Sequence, residues 1–152
     1  MRTLFFIVSL VVTVLMTGCA SLPASIVPDR FEAERGPFHP RDMFPIPPNV
    51  ESLIGPDDCQ GANLAAVEAS VPQYPSRAWE MGRQGWAVVR FHVYSDGSVH
   101  QARIARAIPD GPFNRASRQA VSNWRFLPLD GVDVLQNCVV MFEFRAGEVR
   151  IR

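Results

Sequence analysis

From Gly85 to Tyr94 the chain reads GWAVVRFHVY, a strict alternation with Ala87, Val89, Phe91 and Val93 on one side. Trp86, Val88, Arg90, His92 and Tyr94 occupy the other side. A period of two marks a strand with one face on a core; a helix would scatter the same side chains around its circumference. Ser95-Asp96-Gly97-Ser98 follows, and Asp-Gly favours the positive backbone angles of a hairpin turn. Val99 to Ala107 is therefore expected to return as an antiparallel strand, with Ala102 and Ile104 inward.

Helical spacing flanks this hairpin. Tyr74 to Gly82 predicts a short helix, because Pro75 is tolerated in a first turn and Gly82 ends it. Phe113, Ala116, Ala120 and Trp124 recur at i, i+3, i+7 and i+11, so Phe113 to Trp124 is an amphipathic helix. Asn137 to Arg145 alternates again, with Val140, Phe142 and Phe144 on one face. The expected fold is α+β in the order α-β-β-α-β, a small three-stranded antiparallel sheet with two helices on one face. This domain is placed at residues 71–148.

Upstream the chemistry changes. Arg2 precedes an uncharged apolar run of 13 residues, Leu4 to Met16. That is the length of a signal-peptide core, short of the roughly 20 residues a membrane span needs. The run ends in Leu15-Met16-Thr17-Gly18-Cys19, which resembles the bacterial lipobox: small residues admit the peptidase and present a thiol for lipidation. Residues 1–18 are thus expected to be a leader, and Cys19 the attachment point to a membrane. Ala20 is not the Asp linked to inner-membrane retention, which favours the outer membrane, facing the periplasm.

Residues 19–70 read as a Pro-rich acidic tether preceding the domain. Eight prolines fall between Leu22 and Ser70 (Pro23, Pro28, Pro37, Pro40, Pro45, Pro47, Pro48, Pro56), and they push the backbone toward extended geometry. Extended, Ala20 to Asp58 reaches on the order of 100 Å at about 3.1 Å per residue. Phe31, Phe38, Met43, Phe44 and Ile46 are more apolar than a spacer requires, so part of the tether is expected against the domain or a partner. Asn63 to Ala69 suggests one or two helical turns.

Charge and reactive groups narrow the function. Residues 19–70 hold three Arg against eight acids, and residues 71–152 hold 11 Arg against seven. These arginines are interleaved with acids and lack a stacking-aromatic motif, which argues for a solvated surface and against nucleic acid. With Cys19 taken by lipid, Cys59 and Cys138 remain in an oxidising compartment. A disulfide is expected between them, with two separately buried thiols as the alternative. His92, His100 and Asp96 could approach one another at the hairpin, yet their spacing matches no metal-site logic. No serine lies in a nucleophile elbow and no Gly-rich phosphate loop opens a helix. No cofactor, metal or enzymatic activity is expected.

Four motifs then carry a resemblance. They are Val71-Pro72-Gln73-Tyr74-Pro75-Ser76-Arg77-Ala78, the alternating Gly85 to Val93, Asp96-Gly97-x-Val99, and Ala120-x-x-x-Trp124-Arg125-Phe126-x-Pro128. In this order and spacing the stretch from Val71 to about Arg145 resembles the C-terminal domain of TonB, the periplasmic protein that engages outer-membrane receptors. The resemblance implies that an extended peptide of an outer-membrane receptor, or of another envelope protein, adds as a strand along the last strand. Gln73, Tyr74, Pro75 and Arg77 would frame the groove, and Val139, Met141 and Glu143 would present the edge. The same edge offers a route to a homodimer. TonB-dependent transport is the implied setting; a structural lipoprotein subunit without energy transduction is the alternative. Unlike TonB proper, Leu4 to Met16 has no His-bearing transmembrane face, and the tether lacks long Pro/Lys/Glu repeats.

Overall fold

A computed structural model describes residues 35–152, so the leader and the Cys19 lipidation motif lie outside the described residues. After a 3-10 turn at Val50–Leu53 the elements are β1 (Ala66–Glu68), α1 (Ser76–Glu80), β2 (Gly85–Tyr94) and β3 (Val99–Ile108). They continue with α2 (Asn114–Ser122), β4 (Arg125–Phe126), β5 (Val134–Arg145) and β6 (Glu148–Ile151). The main antiparallel sheet has four strands in the order β3-β2-β5-β6, and β1 pairs with β4 in a second, two-stranded sheet.

The expected hairpin and both helices are present. Gly97 has φ +80°, and a Cβ there would collide with the Phe126 carbonyl, so only glycine fits this turn. Two expectations change. The three-stranded sheet gains β6, because Ala146 and Gly147, at φ 52° and 82°, fold the chain back on itself. That return sets Phe142 opposite Ile151 and Arg145 opposite Glu148. The helical turns expected at 63–69 are replaced by β1, whose backbone finds partners on β4: Ala66 lies opposite Phe126, and the Leu127 amide donates to the Ala65 carbonyl at 2.8 Å.

One sheet face carries the main core. Ala87, Val89, Phe91 and Val93 of β2 meet Val140, Phe142 and Phe144 of β5, and Phe113, Val121, Trp124, Tyr74 and Ala78 close over them. Rings pack edge-on or stacked throughout, as in Tyr74 against Phe144 at 5.5 Å and Phe113 on Phe144 at 4.3 Å.

The opposite face is also covered, which alters the reading of residues 19–70. Trp86, Val88 and Met141 are buried there beneath Phe44, Val50 and Leu53. From Gly36 onward the chain belongs to the same body as the sheet. Of the apolar residues noted in the Pro-rich stretch, Phe38 and Phe44 supply contacts, whereas Met43 and Ile46 face away from the sheet and Phe31 lies outside the described residues. Hydrogen bonds fix the path of this strap: its carbonyls accept from Trp79 Nε1 (at Gly36, 3.2 Å), Gln84 Nε2 (at Asp42, 2.7 Å), Trp86 Nε1 (at Ile46, 3.2 Å) and an Arg90 guanidinium nitrogen (at Leu53, 2.8 Å). Prolines cannot donate but their neighbours' carbonyls remain free to accept, so side-chain donors suit such a segment.

Past Leu53 the strap rounds the outer edge of β5. The Cys59 amide donates to the Gln136 carbonyl at 2.6 Å, and Cys59 is disulfide-bonded to Cys138, as expected. Asp58, beside it, pairs with Arg90 at 3.2 Å. The Gly55 amide, with help from Asn137 and Arg90, holds the Asp58 carboxyl below its usual value.

Candidate partner-binding site

The sequence-derived site combines the segment Gln73–Arg77 with the last long strand. The two do meet, because Tyr74 packs on Phe144 and its hydroxyl donates to the Arg83 carbonyl. That placement corrects the role of Tyr74: it is 4% exposed and belongs to the core, where burial pushes its phenol well above the ordinary range. Gln73 is exposed. Pro75 and Arg77 line a shallow pocket with Ala78, Met81, Arg83 and Pro112.

Val139, Met141 and Glu143 project to the strap face rather than toward solvent. Met141 is 2% and Glu143 6% exposed, and Val139 packs against the same small cluster. As freely exposed side-chain contacts they are therefore ruled out in this structure, since the strap and β6 cover them. Their backbone groups are another matter. Within an antiparallel strand, a residue that exchanges bonds with one neighbour alternates with residues facing the other neighbour. The Met141 amide donates to the Arg152 carbonyl at 3.1 Å, and the Arg152 amide returns a bond to the Met141 carbonyl at 2.9 Å. Val139 and Glu143, two residues either side, thus also direct their main-chain groups outward from β2.

The outer edge of β5 is guarded by two different devices. Near Gln136 the strap crosses it and is locked by the Cys59–Cys138 disulfide. From Met141 to Arg145 it is covered by β6 and Arg152, through a short ladder and one ion pair, in which exposed Arg152 reaches the buried Glu143 carboxylate at 3.5 Å. The Arg150–Glu148 pair, at 2.9 Å with both side chains 67% exposed, lies within β6 and adds nothing across the edge. Between the two guards, around Val139, the edge is open. The strand expected to be an edge is therefore an inner strand over its last third, and the proposed homodimer route along it is closed there by β6.

The other sheet edge, β3, is long but irregular. Its pairing with β2 shifts twice, once beside Gln101 at φ 52°, and it exposes Arg103 and Arg106. Bulges and charge discourage strand pairing. The histidines have structural partners. His92 Nδ1 accepts the Asn137 amide at 3.0 Å, where β5 bulges at φ 58° and that amide has left the ladder. His100 stacks on Tyr94 at 4.2 Å and contacts Ser98 Oγ at 3.0 Å; that hydroxyl in turn donates to Asp96. A serine that gives its proton to a carboxylate is not primed by the imidazole, so this trio has the wrong order for nucleophilic catalysis.

Sequence reasoning missed Gln84. It is 8% exposed, donates to the Asp42 carbonyl and accepts the Ala146 amide at 2.8 Å, so it ties strap, α1 exit and the β5–β6 turn together. Its only sequence signal is polarity directly before an apolar strand.

Comparison with known proteins fits this architecture. The family described as Gram-negative bacterial TonB protein C-terminal matches residues 70–146. Protein TonB of Pseudomonas aeruginosa is 34% identical over 91 residues, covering 59% of this chain and 27% of the relative. Protein TonB of Escherichia coli is 36% identical over 63 residues, covering 41% of this chain and 26% of the relative. The solution NMR structure of the Pseudomonas aeruginosa TonB CTD superposes with a TM-score of 0.51 at 27% identity, covering 61% of this chain and 96% of that one. The chain thus spans about a quarter of the length of these curated relatives. From residue 70 to residue 146 the chain belongs to the Gram-negative bacterial TonB C-terminal domain family.

Proposed function

We propose that this chain is a periplasm-facing lipoprotein, held by lipid on Cys19 to the outer membrane in preference to the inner. It binds an extended segment of an outer-membrane receptor or another envelope protein by strand addition to β5, in TonB-type transport. The observation that carries the reading is the unequal guarding of the β5 edge. One guard is covalent; the other is a four-residue strand, β6, held by a short ladder and the Arg152–Glu143 pair. A partner strand is thus expected to start at the open edge near Val139 and to replace β6. Main-chain bonds supply affinity in this mode, and alternate side chains supply selectivity. Gln73, Pro75 and Arg77 frame the end of the groove.

Two variants test it by co-purification from crosslinked envelopes. Val139→Pro removes an outward amide while leaving the β2 ladder intact, so it should melt like wild type and lose its partners. Removing Glu148–Arg152 should raise partner recovery about tenfold, since no internal strand then competes for the site. Folded Val139→Pro protein that keeps every partner, or a truncation that loses them, refutes addition to β5.

A further inference from the structure

Two strap side chains stand further out of the domain than any other large apolar group among the described residues. Met43 is 94% and Ile46 91% exposed, whereas the next, Val67, is 64%. Chain slack does not explain this. Phe44 between them is packed against the sheet, the Ile46 carbonyl is held by Trp86, and Pro45, Pro47 and Pro48 stiffen the backbone. An extended proline-rich chain repeats every three residues. Residues 44, 47 and 50 therefore share the edge on which Phe44 and Val50 face the sheet, and 43 and 46 share an edge pointing away. Any polar side chain would satisfy the fold at these two positions.

The surroundings supply the sign of the partner. Arg145 lies 5.0 Å over the Phe44 ring, and Arg106 lies 5.8 Å over the Trp86 ring, so guanidiniums flank the strap on both sides. Both are exposed and rest on rings rather than on carboxylates. Acids on this face are largely engaged: Asp42 with Arg83 and Asp58 with Arg90, each at 3.2 Å, and Glu143 with Arg152 at 3.5 Å. Glu51 and Asp57, exposed and with no ion pair among the described residues, come later along the strap.

We propose that the strap face docks on an anionic phospholipid surface, with Met43 and Ile46 entering the acyl boundary and Arg106 and Arg145 meeting lipid phosphates. Two apolar prongs between ring-supported cations match a boundary where phosphate lies directly above hydrocarbon. The proposal rests on the lipid-anchor reading for the nearness of a bilayer: Met43 follows Cys19 by only 24 residues. The anchor sets distance, and this face sets orientation.

The test uses the full chain on vesicles whose acyl chains carry bromine, which quenches tryptophan on contact. The native Trp79, Trp86 and Trp124 are common to every chain tested, and the unsubstituted chain on the same vesicles gives the background to subtract. A Met43→Trp chain should lose about half of its added fluorescence on brominated phosphatidylglycerol. A Gln119→Trp chain, altered on the solvent side of α2, should lose none. Adding Arg106→Gln and Arg145→Gln, or using brominated phosphatidylcholine, should lower the docked-to-free ratio about thirtyfold, from about fivefold per arginine. No quenching in the Met43→Trp chain while it floats with the vesicles overturns the docking, as does equal quenching in the Gln119→Trp chain. The anchor is read separately through palmitate labelling. In the chain with Cys19 intact, quenching without palmitate label sinks the anchor alone, and label without quenching sinks the docking alone.

Discussion

Replacing Cys59 and Cys138 together with alanine should leave the native fold in place and cost most of the stability that a long loop can give. The two cysteines are 79 residues apart. Closing a loop of that size removes roughly 15 cal/mol/K from the unfolded chain, or about 4.5 kcal/mol at 25 °C. That is a ceiling, because residual structure in the denatured state lowers it toward about 3 kcal/mol. The folded side changes little: the strap keeps its bonds to Trp79, Gln84, Trp86 and Arg90, and alanine at 138 leaves only a small void in the core. Urea melts followed by tryptophan emission measure the loss, with Trp86 under the strap as reporter. The released unfolded chain should also expose more surface, so the urea slope should rise. Reducing the wild-type protein should reproduce both changes. A loss below about 1 kcal/mol with an unchanged slope would falsify the entropic account.

Three further outcomes follow from named contacts. Cys19→Ala should abolish palmitate labelling and block processing; label in the variant refutes the anchor. Because Asp58 has a lowered folded pKa, its stabilising contribution is present above its ordinary value of 3.8 and is lost as the pH falls below it. Asp58→Asn should therefore flatten the acid limb of a urea-midpoint profile, and an unchanged limb counts against the Gly55–Asp58–Arg90 arrangement. Gly97→Ala should cost at least about 2 kcal/mol by thermal or urea melting, since the turn needs a positive φ and the Phe126 carbonyl fills the Cβ position.

Local patterns made the hairpin and both helices legible, because alternation in Gly85–Tyr94 and the spacing of Phe113, Ala120 and Trp124 each admit one arrangement. Cys138 shares the parity of Val140 and Phe142 and is buried with them in the core, bonded to Cys59. Glu148–Ile151 was not legible: four residues are too few for a period, and the turn before it needs Ala146 at positive φ, a conformation no propensity favours. The strap was half legible. Its prolines read as a spacer, while Phe38 and Phe44 signalled contact; what covers Trp86 and Val88 depends on a segment some 40 residues away. Tyr74 shows the limit of motif transfer. Its phenol could have served a partner, but the Arg83 carbonyl and four aromatic neighbours, Phe38, Trp79, Phe113 and Phe144, claim it.

The strap also determines how tension would travel through the chain. A load arriving from the N-terminal side meets its attachments in series, at Gly36, Arg41, Asp42, Ile46 and Leu53, so they peel one at a time instead of sharing the force. Unzipping from Gly36 to Cys59 frees about 75 Å of contour at roughly 3.3 Å per residue, and the extension gained is that length less the span the strap already covers. Peeling then stops at a covalent bond, and the load passes through Cys138 into β5, which is bonded to β2 there and to β6 further along. The chain lengthens under a pull by a fixed amount, and beyond that it transmits the pull to the middle of its sheet.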